Sequence, residues 1–257
     1  SMHGLFGFEQ LPEAFGLALT YLTIIVVINS FNLIDGIDGL ATSLGILTML
    51  IFGTYFFMVG LQAYALLAYS LGGSLVAFLI FNHHPAKIFM GDSGSLMIGL
   101  INAILVIKFI NVASDPAMAI PIGSTAAIGF SILIVPLLDT LRVFAIRIFK
   151  GCSPFTPDRN HIHHLLLNRG LGHAAITLIC VSINIGFVVL AYSLRSIGST
   201  YLLLIMLALS FSGFGLLYYG QPRRTMTIAK RMNGTTELKT TSKVVTLTQE
   251  TATADHS

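Results

Sequence analysis

Charged residues are scarce in this chain, and their scarcity excludes an ordinary soluble domain. Only 10% of the 257 residues are charged, whereas 54% are hydrophobic, and soluble domains carry about 25% charged residues. Tryptophan is absent and there are only two cysteines, so we expect no disulfide framework. The first residues lack the basic stretch of a signal peptide, so we expect no cleaved leader. What remains is mostly apolar sequence of membrane-spanning length.

Apolar segments of nearly spanning length follow one another, with Gly, Pro, Asn or charged residues between them. They cover about residues 17–34, 39–59, 62–81, 94–111, 118–146, 173–194 and 200–219. The fifth segment is overlong and contains Pro136, so we expect it to kink or to extend beyond the bilayer. For its Asp139 and Arg142 we expect a structural ion pair, with a role in a site as the alternative. The sequence therefore predicts an all-α polytopic transmembrane helical bundle of about seven spans in residues 1–220. Residues 221–257 are rich in Thr, Lys, Arg and Ser, which predicts a polar, largely disordered cytoplasmic tail.

Positive charge lies almost entirely on one side of the predicted bundle. If successive segments cross the membrane in alternate directions, only Lys108 and Arg195 fall on the opposite side. The positive-inside rule places the positively charged side in the cytoplasm. Most aspartates and histidines fall on this same side. We therefore expect any functional site to lie at the cytoplasmic face.

The first polar motif, Asn32-Leu-Ile-Asp35-Gly-Ile-Asp38-Gly, ends the first segment. Its three-residue spacing predicts that Asn32, Asp35 and Asp38 share one helical face. Neighbouring carboxylates suit Mg²⁺, which usually binds one or two of them together with substrate phosphates. The simpler interpretation is a pair of solvated carboxylates at a helix end. An asparagine and two glycines beside them, at the edge of the bilayer, favour a functional site.

The second polar motif is the loop between the third and fourth segments. Asp92 is placed to hold Mg²⁺ beside a helix N-terminus, which attracts anions. Asn82 and Phe89 offer an amide and an aromatic face to a nucleotide base. The alternative for this loop is structural: Asp92 or Ser93 caps the next helix, and Phe89 anchors the loop at the interface.

The third polar motif gathers Arg159, His161, His163 and His164 after the fifth segment. Apolar residues recur on one side of this stretch, which predicts a short interfacial amphipathic helix in a cytoplasmic loop. Histidine and arginine suit a phosphate-rich substrate. A zinc site is the rival interpretation, and it ranks lower because no cysteine accompanies the histidines.

Together the three motifs resemble the polyprenyl-phosphate N-acetylhexosamine-1-phosphate transferases, the superfamily that includes the phospho-MurNAc-pentapeptide translocase. The matching stretches are residues 32–41, 89–95 and 161–164. The resemblance implies transfer of a sugar-1-phosphate from a UDP-sugar to undecaprenyl phosphate, with release of UMP and with Mg²⁺ or Mn²⁺ as cofactor. The translocase branch has three consecutive histidines followed by an acidic residue. This chain has His-Ile-His-His-Leu, which points to UDP-GlcNAc as donor.

The resemblance also assigns roles to residues. It implies catalytic roles for Asp35, Asp38, Asp92, His161, His163 and His164, substrate binding by Asn32, Gly36, Asn82, Phe89 and Arg159, and metal binding by Asp92 and Asp35. It implies a multi-pass protein of the bacterial cytoplasmic (inner) membrane with a cytoplasmic active-site face. The implied process is the first membrane step of cell-surface polysaccharide synthesis, such as O-antigen or cell-wall synthesis. The expected partners are the UDP-sugar donor, the polyprenyl phosphate acceptor and the bilayer, without nucleic acid; a homodimer is left open.

The chain departs from the family pattern in one respect. The family carries an adjacent aspartate pair upstream of the first motif, and this sequence contains no Asp-Asp. We therefore expect an N-terminally shortened form that has little or no turnover alone. A membrane ion or metal transporter is the alternative function, although it should bury its acids near mid-membrane. An aspartyl intramembrane protease would leave the asparagine, histidine and arginine side chains unused.

Overall fold

The computed structural model describes residues 12–149, 151, 166–167, 170–219, 227–228, 236–240 and 243–247. Within this part the helices are α1 (Glu13–Ile34), α2 (Leu40–Met58), α3 (Gln62–Asn82), α4 (Gly91–Ala113), α5 (Thr125–Ile132), α6 (Ile134–Phe149), α7 (His173–Ser193) and α8 (Ser199–Tyr219). The strands are β1 (Thr227–Ile228), β2 (Thr236–Thr240) and β3 (Lys243–Leu247). The helices form a bundle, which confirms the predicted all-α fold of the membrane part.

Six of the described helices, α1 to α4, α7 and α8, are long and apolar enough to cross a membrane. The pair α5 and α6 passes the same test together but is bent by 85°, and the count becomes seven if this pair is one span. The expectation of about seven spans is therefore confirmed. Large apolar side chains cover the outside of the bundle, with Leu66 69%, Ile80 72% and Leu178 68% exposed. Lipid accommodates such a surface, whereas an aqueous surface of this kind is unusual.

The kink predicted in the fifth segment lies between α5 and α6, and a residue of α7 stabilises it. Asn184 is fully buried. Its Nδ2 donates to the carbonyl oxygen of Ile132 at 3.0 Å, and its Oδ1 accepts the N–H of Val135 at 3.3 Å. Backbone groups freed inside a bilayer must find partners within the protein, and Asn184 supplies them. The expected ion pair of Asp139 and Arg142 also forms in α6, with 3.9 Å between Oδ1 and Nη2.

α1 packs against α4, and α2 packs against α3. The crossing of α1 and α4 depends on Gly99, because a Cβ added there would lie 2.6 Å from the Cα of Ile28 and 3.2 Å from the oxygen of Val27. This crossing is about one helical turn from Asn32 on α1 and from Ser95 on α4. The missing side chain at Gly99 therefore lets the polar ends of the two helices come within hydrogen-bonding distance.

The chain divides into two compact units, Ser1–Gly215 and Leu216–Ser257, and the predicted boundary was at residue 220. In the second unit β1, β2 and β3 pair in this order as an antiparallel sheet, with Leu238 opposite Val245. The sequence predicted a largely disordered tail; the structure describes these strand residues within it, and for the rest of the tail the disorder stays a prediction. The strands are rich in Thr and Val, whose branched side chains favour extended backbone. The prediction considered only the low hydrophobicity of the tail.

Candidate active site

The first motif divides between the end of α1 and a turn of residues 35–39. Gly39 closes the turn with a φ of 75°, a left-handed conformation that glycine adopts without strain. The prediction that Asn32, Asp35 and Asp38 share one helical face is wrong, because α1 ends before Asp38. Asn32 and Asp35 instead lie near α4, whereas Asp38 contacts the loop after α3 and the start of α7.

Asp92 is exposed in the first turn of α4. Asn32 Nδ2 lies 3.1 Å from both Asp92 Oδ1 and Ser95 Oγ and donates to them. The alternative role of Asp92 or Ser93 as a helix cap is not observed, because α4 begins at Gly91 and receives no side-chain cap. Within the described residues only one carboxylate oxygen of Asp92 has a hydrogen bond. The second oxygen is available to a ligand.

Asp35 lies at the end of α1, where it is partly buried and close to Asp92. Burial, and then the negative charge of Asp92, raises the pKa of the Asp35 carboxyl from its ordinary 3.8 to about 6. Within the described part of the chain, neither carboxylate forms an ion pair. Two oxygen ligands that repel each other and lack a cationic partner suit a divalent cation such as Mg²⁺. The two residues therefore fit the predicted metal-binding role.

Asp38 lies on the other side of the turn, between two histidines. Its Oδ2 is 2.7 Å from His84 Nδ1 and 3.4 Å from His173 Nδ1. The same oxygen accepts the backbone N–H of Ala86 at 3.3 Å. The hydrogen bond with His84 is the largest of the effects that hold the pKa of Asp38 below its ordinary range. The pKa shifts of Asp38 and Asp35 are thus opposite in direction.

His84 and His173 are site residues that the sequence analysis did not select. Both fall at segment ends on the same predicted face as Asp38, which is the signal that could have identified them. The larger histidine group after the fifth segment gives the stronger local signal. The packing of the start of α7 against the turn after α1 is a tertiary contact that no local pattern predicts.

Asn82 connects the turn after α1 to the loop after α3. Its Oδ1 accepts the N–H of Gly39 at 3.1 Å and the hydroxyl of Thr42 at 2.7 Å, while its Nδ2 donates to the oxygen of Ile88 at 3.0 Å. The side chain is only 3% exposed. These three bonds use most of the amide's hydrogen-bonding capacity and fix the two loops against each other.

The two loops enclose a pocket of about 80 Å³. It is lined by Asp35, Gly36, Ile37, Asp38, Asn82, Phe89 and Met90. Phe89 is 79% exposed, so its ring remains open to a ligand. The structure thus brings together the predicted residues of the first two motifs, and Asn32 and Asp92 adjoin the pocket beside Asp35.

A larger apolar cavity of about 430 Å³ lies among α1, α4, α5, α6 and α8. Its walls include Leu22, Val26, Phe130, Leu137 and Leu203. An apolar lining of this kind suits hydrocarbon and offers little to a charged group. The cavity is therefore distinct in chemistry from the small polar pocket.

The third motif lies outside the described residues. This applies to Arg159, His161, His163 and His164, and to the interfacial helix expected around them. Their roles stay predictions. The site that the structure describes is built from the first two motifs and from the start of α7.

Curated relatives of the chain carry names of one activity. Over 192 residues the chain is 35% identical to the decaprenyl-phosphate N-acetylglucosaminephosphotransferase of Mycobacterium tuberculosis. The aligned region covers 66% of this chain and 45% of that relative. Over 175 residues the chain is 31% identical to the undecaprenyl-phosphate alpha-N-acetylglucosaminyl 1-phosphate transferase of Escherichia coli. That aligned region covers 66% of this chain and 46% of the relative. The chain spans about half the length of the curated relatives it matches.

The fold and the site define a polytopic membrane protein whose acidic and histidine side chains converge at one end of a helical bundle. Residues 1–110 match the model of Glycosyl transferase family 4. The predicted resemblance is confirmed: the chain is similar to proteins named as polyprenyl-phosphate N-acetylglucosamine-1-phosphate transferases.

Proposed function

We propose that this protein transfers GlcNAc-1-phosphate from UDP-GlcNAc to undecaprenyl phosphate and releases UMP. The observation that carries the proposal is the position of Asp35 and Asp92, two carboxylates that form no ion pair within the described residues, beside a small pocket with an exposed aromatic ring. The names of the relatives mention N-acetylglucosamine and a polyprenyl phosphate. The reaction would be the first membrane step of a cell-surface polysaccharide pathway.

Asp35 and Asp92 are the residues that would hold the Mg²⁺ ion, for which Mn²⁺ is the alternative. When bound, such an ion neutralises phosphate charge and allows phosphates to approach the two carboxylates. Asn32 contributes by fixing Oδ1 of Asp92 through its 3.1 Å hydrogen bond. Because Oδ1 of Asp92 is held in place, Oδ2 of the same carboxylate is restricted in orientation, which favours a defined geometry for a bound metal ion.

The small pocket is proposed to hold the uracil of the donor. Phe89 offers an open ring on which a base can stack. Asp38, kept ionised by its histidine neighbours, can accept a hydrogen bond from a base N–H. Gly36 adds no side chain to the pocket wall. Asn82 holds the wall in place through its bonds to both loops.

In the proposed reaction a phosphate oxygen of the acceptor forms a bond to the phosphorus that carries the sugar. The bond between this phosphorus and the oxygen of UMP breaks, and UMP leaves with the electron pair. A phosphate monoester is already largely ionised near neutral pH, so the acceptor needs little activation. The task left to the protein is positioning and charge neutralisation.

The membrane supplies the acceptor, and the bundle offers it an apolar surface. The cavity among α1, α4, α5, α6 and α8 is suited to part of a polyprenyl chain. The excess of Lys and Arg on the side of the polar loops supports a cytoplasmic orientation of the pocket. We accordingly propose the bacterial cytoplasmic membrane as its location.

The transporter alternative receives less support from the geometry. A secondary transporter binds its substrate near the bilayer midplane, often at broken helices. Here Asp35, Asp92 and His173 lie at helix ends. The one described broken pair, α5 and α6, has its break satisfied by Asn184.

The proposed function is tested by incubating membranes that carry the protein with radiolabelled UDP-GlcNAc, undecaprenyl phosphate and Mg²⁺. A second form is extended at its N-terminus by a segment that carries the adjacent aspartate pair of the family. Label in the lipid fraction with release of UMP, lost in Asp92→Asn but kept in the control Asp115→Asn, would support the proposal. Absence of labelled lipid from both forms would contradict it.

A further inference from the structure

The cluster of Asp38, His84 and His173 has the donor set of a transition-metal site. One ligand atom of each residue lies within 4.8 Å of those of the other two, and Asp38 Oδ2 lies close to Nδ1 of both imidazoles. The residues come from the turn after α1, the loop after α3 and the first position of α7. Three separate elements thus place nitrogen and oxygen ligands around one point.

We infer that Asp38, His84 and His173 bind a divalent transition-metal ion of the Zn²⁺ class, at a site separate from the Asp35–Asp92 pair. Two imidazoles and a carboxylate are the protein ligands of a well-known zinc arrangement, in which the fourth position stays open to water or a ligand. Nitrogen ligands favour zinc, copper or nickel, whereas an oxygen-only pair favours Mg²⁺. The two sites therefore select different ions.

One of the two distances around Asp38 Oδ2 matches the spacing that a bound ion requires, and the other is shorter. With metal–ligand bonds of about 2.0–2.2 Å, adjacent ligand atoms of a tetrahedral site lie about 3.3–3.6 Å apart. The distance from Asp38 Oδ2 to His173 Nδ1 is 3.4 Å, and that to His84 Nδ1 is 2.7 Å. The side chains of His84 and His173 are 44% and 31% exposed, so their rings can turn to open the shorter distance.

The rival explanation is a hydrogen-bonded Asp–His cluster without any metal. One histidine would be sufficient to pair with the carboxylate, yet Nδ1 of both rings lies within 3.4 Å of the same oxygen. His173 Nδ1 also accepts the backbone N–H of Asp38 at 3.5 Å, so this nitrogen presents the lone pair that a metal ion requires. The rings also lie against each other, with 4.7 Å between their centroids. Two histidines positioned around a single carboxylate oxygen are better explained by a shared cation than by one ion pair.

Occupation of this site would affect the neighbouring pocket, and this consequence rests on the proposed function. Asp38 also lines the 80 Å³ pocket that is assigned to uracil. If Asp38 Oδ2 donates its lone pair to a metal ion, it becomes a weaker acceptor for the N–H of a base. The ion would therefore inhibit transfer, although its binding is measurable without any turnover.

The test uses the purified full chain with Zn²⁺ or Co²⁺ alone. Co²⁺ accepts the ligands of zinc and absorbs visible light strongly when tetrahedral. We expect a visible cobalt band that Zn²⁺ abolishes. His84→Gln and His173→Gln should each weaken binding at least about tenfold, the lower end of the loss caused by removing even an outer-sphere partner.

Control variants separate this site from the other candidates for metal binding. His83→Gln changes the exposed neighbour of His84, and Asp92→Asn changes the proposed Mg²⁺ site. A triple variant replaces His161, His163 and His164 with glutamine. All three controls should keep the cobalt band.

A cysteine variant guards against loss of signal through misfolding. His173→Cys should keep binding and add a thiolate-to-cobalt absorption band, which a misfolded protein would not produce. A cobalt band that survives both His84→Gln and His173→Gln, or that disappears in the triple variant, would overturn the inference. Failure of the transfer reaction would leave this result unaffected, because no step of the test requires catalysis.

Discussion

Asn32 Nδ2 lies 3.1 Å from Asp92 Oδ1 and joins the end of α1 to the first turn of α4 across 60 residues of sequence. The same nitrogen also donates to Ser95, so it holds two side chains of α4 at once. This contact places Asp92 beside Asp35, whose pKa its charge helps to raise. The proposed metal site is thus assembled by an amide that is itself not a metal ligand.

Replacing Asn32 with alanine should therefore weaken Mg²⁺ binding. Without the amide, Asp92 loses the bond that fixes one of its oxygens, and loss of such an orienting partner typically costs about 10–100-fold in metal affinity. Isothermal titration with Mg²⁺ measures the effect. Asn29→Ala, one turn earlier on α1, is the control, because within the described residues the Asn29 amide donates to the oxygen of Ile25 in its own helix and to no residue of α4. Equal affinities of the two variants would contradict the role of Asn32.

Gly99→Ala should destabilise the bundle and weaken the same metal site. Its Cβ would meet the backbone of Ile28 at 2.6 Å, so α1 and α4 must separate, at a cost of about 1–3 kcal/mol. Gly73→Ala is the matched control, since a Cβ there meets nothing within 4 Å. This helical control should gain up to about 1 kcal/mol. Thermal unfolding in detergent and Mg²⁺ titration compare them, and an unchanged Mg²⁺ affinity in Gly99→Ala would refute the link between this crossing and the site.

Asp35→Asn and Asp38→Asn should change stability in opposite directions. The raised pKa of Asp35, about 6 against its ordinary 3.8, means that the folded protein loses stability as pH rises through this interval. Asp35→Asn should therefore raise the unfolding temperature at pH 7, with the gain disappearing below about pH 4. The pKa of Asp38 is lowered, so its ionised form stabilises the fold at neutral pH. Asp38→Asn should lower the unfolding temperature at pH 7.

These two measurements require EDTA, so that no bound cation changes either carboxyl. Helical circular dichroism during heating, at several pH values, gives the unfolding temperatures. If both variants shifted in the same direction at pH 7, the contrast between the environments of Asp35 and Asp38 would be wrong.

Asn184→Leu should destabilise the bent pair α5 and α6. Leucine has a similar volume but leaves the oxygen of Ile132 and the N–H of Val135 without their partner, at a cost of about 1–3 kcal/mol. Amide hydrogen exchange should become faster at Val135, and the unfolding temperature should fall. Ser193→Ala, at the exposed end of the same helix, should change neither. Unchanged exchange at Val135 in Asn184→Leu would show that the break is stabilised by other contacts.

The number and approximate position of the membrane-spanning helices could be predicted from the sequence, because a bilayer requires long apolar helices and hydropathy detects them. It also grouped the polar loops on one face, since alternation of spans fixes which loops are neighbours. The kink of the fifth segment was predicted from its length. The role of Asn184 was not predictable, because it depends on the contact between α5, α6 and α7.

Details of the site depended on where α1 ends. A regular three-residue spacing suggested one helical face for Asn32, Asp35 and Asp38, but the turn before Gly39 sends Asp38 towards the histidines. The contribution of His84 and His173 follows from tertiary contacts over 46 and 135 residues. No local pattern encodes contacts of this length.

Binding of UMP to the purified chain tests the central claim most directly, because it requires the pocket and the metal site but no turnover. Titration calorimetry is done with UMP in the presence of Mg²⁺ or of EDTA. The account predicts binding that requires Mg²⁺, is lost in Asp92→Asn and is retained in Asp115→Asn, whose carboxylate lies in the exposed loop after α4. Absence of UMP binding, or binding that is the same with EDTA and in Asp92→Asn, would contradict it.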